Sequence, residues 1–144
     1  KIIIFDIGCF VGNFSKKIKL SLKNYRVDSY LFDLNINVKE KLKSLNFNFK
    51  FFNIAFDNEK KIKKLYLNTA FPASGTSLLP ITANSRGYNF SRKVFFLKKK
   101  DIFSMVNVQT QTLDSFIKKI DILKLGTEGN ELNFFRRIED FENN

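Results

Sequence analysis

In 144 residues the chain carries 25 Lys and Arg against 14 Asp and Glu, a net charge of +11, with no histidine, no tryptophan and one cysteine. That composition excludes a Ser-His-Asp triad, a Cys-His protease, a His-ligated zinc centre, an internal disulfide and a CxxC redox pair. An apolar fraction of 44% with 18 phenylalanines is enough to build a core, and the length suits one domain over 1–144.

The first element, Ile2 to Asp6, is a short β-branched run ended by glycine, the pattern of a strand buried on both faces of a parallel sheet. Phe14, Ile18 and Leu22 then recur at helical spacing, with Lys16, Lys17, Lys19 and Lys23 between them, so an amphipathic helix with a basic outer face is expected. Tyr30 to Asp33 reads as a second strand. Val38, Leu42 and Leu45 mark a second helix, and Phe49 to Ala55 a third strand. This alternation predicts βαβ units.

The middle of the chain changes character. Ile62 to Asn68, Lys93 to Leu97 and Val106 to Thr112 read as strands, the last by strict alternation. Between the first two, residues 71–92 carry turn chemistry without periodicity, and a long loop of this kind is often functional. Leu113 to Lys119 is expected to be a helix, Asp121 to Leu125 a buried strand and Glu131 to Phe141 a final helix. The whole predicts an α/β fold: a Rossmann-like, doubly wound, mostly parallel sheet with flanking helices.

No run reaches the roughly 20 apolar residues of a spanning helix. Lys1 to Phe5 is apolar, but Asp6 and Gly8 interrupt it too early for a secretory signal. A lone cysteine favours a reducing setting, so a cytoplasmic protein is expected. The chain opens on Lys rather than Met and stops just after a charged stretch, so the domain is expected to be incomplete at both ends.

Chemistry concentrates where the first strand meets the first helix. In Asp6-Ile7-Gly8-Cys9-Phe10-Val11-Gly12-Asn13, Gly8 permits a sharp turn and close approach of a ligand, and Gly12 opens the helix near the sheet. The spacing is GxxxG, not GxGxxG, which disfavours NAD and FAD. Asp33 follows about 20 residues later at the end of the second strand, where an acid can accept from both hydroxyls of a ribose. The plainer alternative makes the glycines turn residues and Asp33 a strand-end turn former. Cys9 reads as a small buried residue.

Residues 6–15 resemble motif I of class I S-adenosylmethionine-dependent methyltransferases and, more narrowly, the FkbM family, whose members usually read DIGANxGxxS here. Phe32-Asp33-Leu34-Asn35 resembles the family's FEPNP, with Asp for Glu and no prolines. Asn53-Ile54-Ala55-Phe56-Asp57 is similar to its third-strand segment, and Ser74-Gly75-Thr76-Ser77-Leu78 to its serine-rich stretch. Thr112-Leu113-Asp114-Ser115-Phe116 resembles TLDxF, and residues 121–132 resemble IDxLKIDxEGxEL. The resemblance implies S-adenosyl-L-methionine as cofactor, with Asp6, Gly8 and Gly12 at its methionine end, Asp33 on the ribose and an Ala55-Phe56 turn beside the adenine. It also implies methyl transfer to a small-molecule or glycan hydroxyl. That suits a histidine-free chain, because the cofactor brings the activated methyl group and the protein aligns the acceptor.

One departure touches the chemistry. Gly126 stands where the family usually has an aspartate. Glu128 then becomes the candidate for acid-base or acceptor-positioning work, with Lys124 preceding it on the strand. Alternatively, Glu128 and Glu131 are first-turn carboxylates favoured by the helix dipole. A chain without the aspartate could also be a degenerate fold that binds cofactor or partner without turnover. The basic runs Lys60-Lys61, Lys63-Lys64 and Lys98-Lys99-Lys100 admit a nucleic-acid methyltransferase or binder, or simply solvated turns.

Overall fold

The computed structural model describes residues 1–68, 78, 103–116 and 119–127. The predicted strand at Lys93–Leu97, the final helix, Glu128 and the loop at 71–92 apart from Leu78 lie outside the described residues. Among those described, seven strands and two helices follow in the order β1 (Ile2–Ile7), α1 (Asn13–Ser21), β2 (Val27–Phe32), α2 (Val38–Leu42), β3 (Phe49–Phe52), β4 (Ala55–Phe56), β5 (Ile62–Asn68), β6 (Phe103–Gln111) and β7 (Ile122–Leu125).

Strands β3-β2-β1-β7 form one sheet in that spatial order, every pair parallel. The order reverses direction at β1, which lies between β2 and the much later β7. A crevice therefore opens at the C-terminal ends of β1, β2 and β7, where ligands bind in doubly wound folds. The α/β, Rossmann-like class read from the sequence is what the chain adopts. A smaller sheet, β4-β6-β5, pairs β4 with β6 in parallel and β5 with β6 antiparallel.

Alternation along β1 divides its side chains between the two faces of the sheet. Phe5 and Ile7 join Phe32 and Phe56 in one core, against which Phe52, Phe116, Leu123 and Leu125 pack. Phe116 is the hub of this layer, with its ring 4.8 Å from Phe52 and 5.3 Å from Phe32. The other core gathers Cys9, Leu31, Val38 and Leu42 beneath α2. Burying each large ring or aliphatic side chain contributes roughly 1.5–3 kcal/mol. The phenylalanines described here are therefore structural.

Three boundaries differ from expectation. The third strand was expected to run through Ala55, but β3 stops at Phe52 and Ala55–Phe56 pairs with β6 in the second sheet. Asn53 causes the exit: its side-chain amide donates to the Asp33 carbonyl at 2.8 Å, so the chain crosses the end of β2 instead of extending β3. Consequently Ala55 and Phe56 form a strand, not a turn. Strand β6 begins at Phe103, three residues earlier than the alternation indicated. Residues 113–116 make a turn rather than the start of a helix. The Ser115 hydroxyl donates to the Thr112 carbonyl at 2.7 Å, and the Phe116 N–H donates to the Leu113 carbonyl at 2.9 Å. Local bonds of this sort compete with helix propagation.

Candidate functional site

The β1–α1 loop is wound by three residues of positive φ: Gly8 at 69°, Phe10 at 48° and Gly12 at 72°. Gly12 is the N-cap of α1 and has no side-chain capping bond. A Cβ on it would stand 2.7 Å from Leu45 Cδ1, so it lets the loop pack onto the residues after α2. A Cβ on Gly8 would stand 2.1 Å from the Gly126 carbonyl oxygen. Gly8 therefore admits the close approach of the β1 and β7 ends. Phe10 holds its conformation without that freedom, at a cost of roughly 1–2 kcal/mol. Its ring lies under the Lys41 ammonium, 5.1 Å from the centroid.

The loop's N–H groups are largely engaged within the protein. Gly8 and Cys9 donate to the Phe32 carbonyl at 2.8 and 3.0 Å, and Gly12 donates to the Cys9 carbonyl at 2.8 Å. Phe10 donates to Asp33 Oδ2 at 2.9 Å. A phosphate cradle needs such donors free, and at these four positions they are taken.

Asp6, on β1, is fully buried. The Ser15 hydroxyl, in the first turn of α1, donates to its Oδ2 at 2.8 Å. Its Oδ1 has the Lys124 ammonium at 3.2 Å as an ion-pair partner. A buried carboxylate without such partners would cost several kcal/mol. Lys124, opposite Asp6 in the β1–β7 register, also donates to the carbonyls of Gly8 at 2.6 Å and Ile7 at 3.2 Å. Gly126 lies just past the end of β7, and the Gly126 N–H donates to the Ile7 carbonyl at 2.9 Å.

Asp33 sits half-buried at the end of β2, across the crevice. Oδ2 accepts from Phe10 N–H and Oδ1 from Asn35 N–H, each at 2.9 Å. A carboxylate offers about four acceptor positions, so two such bonds leave capacity for a ligand diol. Ala55 and Phe56 are buried, with the Phe56 ring 4.9 Å from that of Phe32. Their side chains belong to the core.

The fold thus brings Asp6, Gly8, Gly12, Asp33, Lys124 and Gly126 around one crevice. Ser15 and Asn53 fall within the matched motifs but had no role assigned from the sequence, although Ser15 stands three residues after Gly12, in the first turn of the helix above Asp6. Cys9 is buried, and burial, followed by the Asp33 and Asp6 carboxylates, pushes its thiol far above the range in which a thiolate forms. Among the described residues no helix is long and apolar enough to cross a membrane.

The family model described as "Methyltransferase FkbM domain" matches residues 13–143. The match begins at the first residue of α1, so Asp6, Gly8 and Gly12 lie just ahead of it. No curated protein and no solved structure matches the chain significantly. With nearly the whole chain matched, and a parallel sheet of order β3-β2-β1-β7 beneath the glycine loop, the chain belongs to the FkbM methyltransferase-domain family.

Proposed function

We propose that this methyltransferase uses S-adenosyl-L-methionine and methylates a hydroxyl oxygen of a sugar or another small hydroxylated acceptor in the cytoplasm. The observation that carries the reading is the pairing of a glycine loop whose N–H groups are already engaged with a half-buried carboxylate, Asp33, that keeps acceptor capacity at the switch point. Such a crevice suits a ligand with a diol.

When bound, the cofactor would supply a methyl group activated by its sulfonium. Asp33 would hold the ribose. Asp6, Gly8 and Gly12 would shape the methionine end, Asp6 acting through Ser15 and Lys124 rather than by contact. The backbone of Ala55 and Phe56 would border the adenine. Glu128 would accept the proton that the acceptor hydroxyl loses as its oxygen bonds to carbon, and would orient that hydroxyl in line. Lys124 already donates to loop carbonyls and pairs with Asp6, so we give it a positioning role instead of proton transfer.

Calorimetric titration with S-adenosylmethionine and its demethylated product tests the reading. Binding of both is expected, and absence of both rejects it. A second reading, cofactor binding without turnover, is favoured by the missing carboxylate at Gly126. Binding without methyl transfer to any hydroxylated acceptor would select it. The charge of +11 motivates a nucleic-acid substrate, which steeply salt-dependent RNA or DNA binding would select.

A further inference from the structure

The space beside Gly126 is occupied from within the protein. A Cβ built on Gly126 would stand 2.7 Å from Lys124 Nζ and 3.2 Å from Lys124 Cε. The same ammonium reaches the Gly8 carbonyl at 2.6 Å and the Ile7 carbonyl at 3.2 Å, and pairs with buried Asp6. Residues two apart on a strand share a face. The lysine stem thus runs forward past the C-terminal end of β7, across the position that a side chain at 126 would take, and spans to the end of β1.

We propose that Lys124 is the positioning residue of the β1–α1 loop, and that glycine at 126 is what lets it act. The ammonium ties the turn at Ile7–Gly8 to β7 and neutralises Asp6, whose other oxygen holds Ser15 and through it the start of α1. One cation therefore fixes both ends of the loop whose Phe10 N–H meets Asp33. Any side chain at 126 competes with the ammonium for one volume. The flexible end of the lysine gives way first, because the other close atom, the Ile7 carbonyl oxygen at 3.3 Å, is backbone. The importance of the loop to a ligand rests on the function proposed above, but the clamp itself does not.

The test is backbone amide exchange of the ligand-free chain, read at Gly8, Cys9, Phe10 and Gly12. Lys124→Ala is expected to raise exchange of these amides roughly tenfold, as local opening becomes easier, while the β2–β3 ladder keeps its wild-type rates. Gly126→Ala should produce the same local change when Lys124 is present and none when residue 124 is already alanine. If Lys124→Ala does not fold, Lys124→Met, which keeps the aliphatic stem, serves the same comparison. Unchanged loop exchange, uniform acceleration throughout the sheet, or independent additive effects of the two substitutions would each overturn the clamp. Titration of the wild-type chain with S-adenosylmethionine is read separately. No binding alongside the expected exchange pattern rejects the proposed function and supports the clamp. Binding alongside an unchanged loop rejects the clamp alone.

Discussion

Gly8 and Gly12 have nearly the same backbone conformation, φ 69° and 72°, yet what a methyl group would meet at each is different. This makes Gly8→Ala and Gly12→Ala a controlled pair. Both variants place alanine in the left-handed region, at about 1–2 kcal/mol, and both recover about 0.4–1 kcal/mol from a stiffer unfolded chain. At Gly12 the new Cβ meets the ends of Leu45 and Leu42, at 2.7 and 3.1 Å. These side chains can rotate away at about 0.5–1.5 kcal/mol, so the net destabilisation is roughly 2 kcal/mol. At Gly8 the nearest atom is the Gly126 carbonyl oxygen at 2.1 Å, with the carbonyl carbon at 2.9 Å. Backbone must move. Overpacking adds about 1–3 kcal/mol, and strain on the Gly126 N–H bond to the Ile7 carbonyl adds up to about 1 kcal/mol. The expected cost is roughly 3 kcal/mol. Urea unfolding followed by far-UV circular dichroism, with the slope held common, measures both. Equal midpoints, or a larger loss for Gly12→Ala, would refute the claim that the β1 and β7 ends meet through Gly8.

Four further outcomes are expected. Asp33→Ala should weaken S-adenosylmethionine binding by about tenfold or more, as loss of a charge-assisted bond implies, and unchanged affinity by calorimetry would remove Asp33 from the ribose. Gly126→Asp should draw the Lys124 ammonium onto the new carboxylate, raising turnover per bound cofactor while raising the cofactor KM; no gain in kcat would argue against a missing-carboxylate account. Cys9, as the only cysteine, should resist iodoacetamide at pH 8 in the folded chain and react once urea unfolds it, so rapid labelling in buffer would contradict its burial. Asp121 accepts from Ile3 N–H at 2.8 Å, and this bond, ahead of the Lys119 ammonium, holds its carboxyl below the ordinary value. A depressed folded pKa stabilises the fold above the unfolded value of about 4 and loses that contribution as pH falls through the folded one; Asp121→Asn should therefore show a smaller loss of urea midpoint between pH 7 and pH 3 than the wild type, and an equal loss would sink the assignment.

The sheet was legible because its strands obey one-dimensional rules. Ile2 to Phe5 and Ile122 to Leu125 are unbroken apolar or β-branched runs except for Lys124, and such runs belong in a parallel sheet. Asp6 and Asp33 were legible as strand-end acids by position alone. Where the pattern misleads, a side chain bonds a main-chain carbonyl. Asn53 turned the chain out of β3 by bonding the Asp33 carbonyl, and Ser115 closed a turn where apolar spacing suggested a helix. Neither bond leaves a periodic trace. Strand β6 was under-read at its start because Ser104, Met105 and Val106 are exposed, so burial imposes no alternation there.

Position 126 shows why a site is harder to read than a fold. In one dimension Gly126 is a deficit, a carboxylate absent beside a strand end, and Lys124 is a cation awaiting a role. In three dimensions the two are coupled: the missing Cβ is the room that the lysine end occupies, 2.7 Å from where that Cβ would be. The charge of Lys124 is then matched by Asp6 on the neighbouring strand, and the carbonyls of Ile7 and Gly8 accept its hydrogen bonds. A residue's partner across parallel strands is set by register, here Asp6 against Lys124 over a separation of more than a hundred residues, and register is fixed by the packing of both faces. No local pattern encodes it. Glycine at 126 therefore bears on where the nearest cation stands. If an aspartate at 126 serves the reaction, Gly126→Asp should consequently aid turnover and loosen the loop together, which is why kcat and KM are expected to rise in the same variant.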